Sequence, residues 1–237
     1  WNDDKQSFEQ YTHIESNREI GTDYKLTTPP LIDTQFILKG DQFGKAFGMP
    51  IQISSLPYRA VSTQAHIVAE QERRGNQNES GNNITDLGGS APVNINFYGY
   101  GNEPVSRFYT WLIYDKRDIS NPVLRYTDRD IKYQFDKWGE YKVVLEVTNQ
   151  SASCISRDSV EFKVQESMLD IPNFFSPSDS PGVNDEFRVA YKSLISFKCT
   201  IFNRWGNKLY EWRDPAKGWD GRYKGKFVNP GVYFYVI

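Results

Sequence analysis

Histidine and cysteine, versatile side chains for acid–base and covalent chemistry, are scarce in this chain, which holds two histidines, His13 and His66, and two cysteines, Cys154 and Cys199. His13 falls in a polar N-terminal stretch and His66 in a strand-like run. No Gly-x-Ser-x-Gly, His-Glu-x-x-His or phosphate-cradling glycine loop accompanies them. Catalysis needs such groups to converge, and the carboxylates here are spread among turns and strand faces. The reading is a non-enzymatic protein. The two cysteines sit in separate strand-like contexts, which predicts small buried thiols and neither a disulfide nor a metal pair. What the chain has in quantity is aromatic surface: 15 Tyr, 15 Phe and 6 Trp make 15% of its residues. Most of this must be core, but exposed tyrosines such as Tyr98, Tyr100 or Tyr126 would suit an adhesin or glycan-binding module that stacks rings on sugar.

The elements that position these groups are strands. At 237 residues the chain has room for one or two domains at roughly 100 to 200 residues each, and two fits better. Aromatic and β-branched residues are common while runs of helix formers are almost absent, so the fold class is all-β: two immunoglobulin-like β-sandwich domains in tandem behind an extended N-terminal arm. No run approaches the roughly 18 apolar residues of a membrane-spanning helix. Trp1 is not an initiator residue, so the N-terminus is expected to have been processed or trimmed, which leaves a signal peptide neither shown nor disproved. The net charge of -2 divides unevenly, because residues 168–237 carry ten Lys plus Arg against seven Asp plus Glu. That mild basic bias suits an anionic partner. It forms no stripe of the kind nucleic-acid binding requires.

Taken in order, residues 1–57 read as an N-terminal arm or partial domain, polar at first, broken at Pro29-Pro30, with one strand over residues 31–38. A strand over residues 60–69 leads into residues 70–89, a long polar loop expected to be mobile. The period-2 signal then strengthens. Tyr109, Trp111 and Ile113 share one strand face, and Tyr141, Val143, Leu145 and Val147 share another. With Val160 to Val164 closing the set, residues 58–167 read as a sandwich. Trp111 in mid-strand, followed by Gly139-Glu140-Tyr141-Lys142-Val143-Val144-Leu145-Glu146-Val147, resembles the PKD-type immunoglobulin-like domain, with Tyr141 placed as a tyrosine corner. The family's Trp-x-Phe-Gly-Asp-Gly is replaced here by Trp111-Leu112-Ile113-Tyr114-Asp115-Lys116, so no site carries over.

Residues 168–237 hold the most specific pattern. Asn173, Phe175 and Pro177 are followed by Asn184, Asp185 and Phe187, then by Asn203-Arg204-Trp205-Gly206, Gly218-Trp219-Asp220-Gly221, and Gly231, Tyr233 and Tyr235. In physical terms the glycines permit hairpin corners, Asp220 caps a turn, and Trp205 and Trp219 are both expected to supply core area that so small a unit needs. In this order the blocks resemble the type B sorting domain of gliding-motility-associated type IX secretion cargo of Bacteroidetes.

That resemblance implies a non-enzymatic cargo passing through the periplasm to the outer-membrane surface or the extracellular space. Its partners would be the type IX translocon, a PorP/SprF-type outer-membrane protein and lipopolysaccharide. The little sequence ahead of the sandwich makes it most similar to the small PorA-like signalling cargo, which implies contact with the periplasmic domain of a sensor kinase. Family members often carry Pro-Asn-Gly-Asp-Gly-x-Asn-Asp-x-Phe, an oxygen-rich loop of the kind calcium favours. The loop here is longer and holds fewer early carboxylates, leaving Asp179, Asn184 and Asp185 as candidate ligands. Family members also run on past the Tyr-x-Tyr strand through one more hairpin, so this domain is expected to be truncated at its end.

Overall fold

A computed structural model describes residues 1–9, 26, 28–40, 44, 46–49, 51–81, 85–177, 182 and 184–237, whose named regular elements are all strands. His13 and Asp179 lie outside the described residues. Near the N-terminus β1 (Ile37–Lys39) and β2 (Gln52–Ser54) pair as an antiparallel hairpin. The strand expected over 31–38 is reduced to β1 and an isolated bridge between Thr34 and Tyr58. Polar side chains break the ladder: Thr34 Oγ1 donates to the Ile32 carbonyl at 2.8 Å, and Asp33 accepts the Ala60 N–H at 2.9 Å. Buried Asn102 ties this stretch to the chain ahead of the sandwich, donating to the Leu31 and Ser62 carbonyls and accepting from Gln64 N.

The sandwich comprises β3 (Ala65–Glu72), β4 (Gly88–Gly89), β5 (Val93–Gly101), β6 (Phe108–Asp115), β7 (Leu124–Tyr126), β8 (Asp130–Phe135), β9 (Gly139–Thr148) and β10 (Ile155–Val164). One sheet runs β4-β10-β9-β6-β7 and the other β3-β5-β8. Alternation decides which side chains meet between them. Val93, Ile95 and Phe97 face Trp111, Ile113, Val143, Leu145 and Val147 in one buried cluster. Trp111 is completely enclosed, and its indole N–H donates to the carbonyls of Asp128 and Arg129 at 3.1 and 3.2 Å. Tyr141 closes a corner, its hydroxyl donating to the Lys137 carbonyl at 2.9 Å. Strand β3 begins later than the expected residue 60. At its start Ser156 Oγ and Asp158 Oδ2, both on β10, accept the Ala65 and Ile67 amides, so the meeting edges of the two sheets are sealed by side chains.

The C-terminal unit contains β11 (Met168–Asp170), β12 (Ala190–Lys192), β13 (Cys199–Phe202), β14 (Lys208–Trp212), β15 (Arg222–Tyr223), β16 (Lys226–Phe227) and β17 (Phe234–Val236). Its three-stranded sheet runs β14-β13-β17, with β11-β12 and β15-β16 as separate antiparallel pairs. A second core gathers Phe187, Cys199, Ile201, Trp212 and Trp219. Both cysteines are free; burial pushes the Cys199 thiol up to about 11, which leaves it an inert apolar filler. Within the polar stretch 70–89, the first residues extend β3 and Ser80 N donates to the Tyr191 carbonyl of β12 at 2.8 Å, so these described residues are held by backbone bonds where a loose loop was expected.

Candidate functional site

The sequence blocks of the C-terminal unit are distributed between its core and two turns. Trp219 is the centre: 1% exposed, it donates from its indole to the Arg222 carbonyl at 2.9 Å and exchanges backbone hydrogen bonds with Phe187. Phe175 and Tyr233 pack on its ring at centroid distances of 5.5 and 5.7 Å, and Tyr235 lies 5.6 Å from Phe187. Such aromatic packing gives a small unit the buried area it would otherwise lack. Asp220 accepts the Arg222 amide at 3.1 Å, which turns the chain immediately after the tryptophan. Gly221 follows at φ +77, where a Cβ would approach Pro177 to 2.9 Å, so the motif glycine and the motif proline are in contact. Gly218 is equally confined, by the Phe187 carbonyl. Tyr233 ends the set by donating to the Asn229 carbonyl at 2.5 Å across the bend that holds Gly231.

Asn203, Arg204, Trp205 and Gly206 form the tip of the β13–β14 hairpin. Asn203 Oδ1 accepts the amides of Trp205 and Asn207 at 3.0 and 2.9 Å, and Gly206 takes φ +79. Trp205 is the clear correction to the sequence reading, being 70% exposed where core was expected. The turn projects past the sheet, so its apex has no core within reach. The Arg204 guanidinium covers the ring instead, 4.3 Å from its centroid.

Asn173 is exposed at the start of the unit. Of the calcium candidates, Asn184 sits at φ +55 with its carbonyl accepting Ser176 N, and Asp185 Oδ2 accepts Gly182 N at 2.5 Å. Asp185 Oδ1 is buried without a hydrogen-bond partner among the described residues. Calcium takes six to eight oxygens, and the third candidate, Asp179, lies outside the described residues. The three candidate tyrosines of the sandwich are half-buried: Tyr126 packs on the core, and Tyr100 has Trp1 and Arg129 over its ring at 4.8 and 5.6 Å. His66 lies beneath the Trp1 ring at 4.0 Å, and its Nδ1 is 3.7 Å from Asp158 Oδ2, too long for a hydrogen bond. The cleft between Trp138 and Ile195 holds only about 200 Å³, below the size of ordinary ligand pockets.

The described residues of the C-terminal unit thus form an aromatic core between Asp- and Gly-built turns, with an Arg–Trp pair at one tip. Residues 169–237 match the CHU_C Type IX secretion signal domain. Residues 1–55 match a second family model, the Fibronectin type III domain. The signal domain thus covers the C-terminal unit, and the stretch read as an arm or partial domain carries an immunoglobulin-like match. Both matched models describe non-catalytic kinds of domain. No curated protein and no solved structure matches the chain. A type IX secretion signal domain makes this a type IX cargo, exported to the cell surface or the extracellular space and engaging the type IX translocon.

Proposed function

We propose that the chain divides at residues 57 and 167 and that residues 168–237 act as the export and retention signal of a non-enzymatic surface protein, the PKD-like sandwich over 58–167 being its rigid cargo. The match of residues 169–237 to the signal domain is the observation that carries this reading. Retention is assigned to a PorP/SprF-type outer-membrane protein, with the Arg204–Trp205 tip as the exposed group best suited to such a contact. In a signalling role the chain reports to the periplasmic domain of a sensor kinase while it passes through the periplasm; a pull-down with the two purified proteins in which nothing is retained would remove that part of the reading. Fractionation of cells producing the chain with and without residues 168–237 tests the whole. The full chain is expected at the surface and the truncated one in the periplasm. Unchanged surface display after the deletion would overturn the assignment.

A further inference from the structure

The segment following β3 carries an arrangement that export alone does not require. Glu79 is 4% exposed in a chain whose other carboxylates are mostly solvated. Arg74 donates to both of its oxygens, at 2.5 and 3.2 Å, and Asn76 Nδ2 and Ser90 Oγ add bonds of 2.9 and 2.7 Å. The remaining donor comes from the signal domain: the Tyr191 hydroxyl, 3.2 Å away, which itself accepts from Asn76. A carboxylate taken out of water is tolerated only when it is paired and hydrogen-bonded, and the last of this site's bonds is made only while Tyr191 and the segment are together.

The main chain repeats the contact. Ser80 N donates to the Tyr191 carbonyl at 2.8 Å and Tyr191 N to the Asn78 carbonyl at 3.0 Å, a parallel bridge centred on Glu79 and Tyr191. Asn78 Nδ2 reaches the Val189 and Pro215 carbonyls at 2.6 and 2.7 Å. On the other side of the junction Ser193 N donates to Ser90 Oγ, and Ser193 Oγ accepts from Ala91 N while donating to Gln165 O. Strand β12 already pairs with β11 along one edge.

We propose that residues 76–80 are a strap that adds itself as a strand to the second edge of β12, locking the signal domain in one pose on the sandwich and closing that edge to any other chain. The strap gives the pair a defined geometry: the translocon meets the signal domain with its cargo already oriented, and strand addition by a partner at β12 is blocked in cis. This holds whether or not the retention partner is of the proposed type.

Amide hydrogen exchange on the full chain tests the strap directly. Ser80 and Tyr191 are expected to be protected like sheet amides, and Asn78→Ala to speed exchange at both by about tenfold, as loss of its two bonds implies, while the amides of β5 and β9 are unchanged. Tyr191→Phe, which keeps the ring and removes only the hydroxyl, is expected to act in the same direction. Exchange of Ser80 and Tyr191 at the rate of unstructured chain in the unsubstituted protein, or protection that neither substitution alters, would overturn the proposal.

Discussion

Trp205 and Trp219 occupy look-alike turns of one small domain, yet their substitution should have opposite outcomes. Trp219 is enclosed by Phe175, Phe187 and Tyr233, so Trp219→Ala is expected to cost about 3–5 kcal/mol in denaturant unfolding. Trp205→Ala is expected to stay within about 0.5 kcal/mol, because its ring meets solvent and one guanidinium. Glu79 gives the chain a pH signature. Burial alone would raise its pKa, but the hydrogen bonds from Arg74, Ser90 and Asn76 outweigh this and hold the carboxyl below its ordinary range. A depressed acid contributes stability above its unfolded pKa, about 4.3, and loses it as pH falls through the lower folded value. Melting temperature should therefore drop steeply below about pH 4, and Glu79→Gln should flatten that limb. Tyr191 acts at the other end. Burial and then the Glu79 charge push its phenol up to about 12, so its contribution is lost as pH rises from about 10 toward that value. Melting curves that are flat across both limits would contradict the geometry of the Glu79 site.

Among the elements, the tip of the hairpin joining β13 and β14 adds two bonds from one side chain, Asn203, to its backbone bonds. Asn203→Ala removes the acceptor for two backbone amides and is expected to cost about 1 kcal/mol while leaving Trp219 fluorescence unchanged. Strands β5, β6 and β9 were legible in the sequence because one face is buried against the opposite sheet, which forces the period-2 pattern through Val93, Ile95 and Phe97 and through Tyr141, Val143, Leu145 and Val147. The edge strands were less so. Residues 31–38 look apolar enough for one strand, but Asp33 and Thr34 spend their side chains on backbone groups and interrupt it. In the signal domain, sequence marked Trp219, Asp220 and Gly221 through turn chemistry, whereas the position of Trp205 beyond the sheet depends on where the hairpin ends. Glu79 left no local signal at all. Its partner Tyr191 is distant in sequence, and an isolated acid in a polar run reads as solvated until the fold brings the two together.

At the scale of the molecule, the sandwich and the signal domain have separate apolar cores joined by a polar junction. Residues 168–237 carry a mild positive charge, while residues 1–167 are acidic. The most direct measurement is transplantation: residues 58–237 fused behind a secreted fluorescent reporter, produced in a cell with a type IX translocon and in its translocon-null counterpart. The reporter is expected outside the outer membrane in the first and confined to the periplasm in the second. Equal export from both cells, or periplasmic retention in both, would contradict the export assignment.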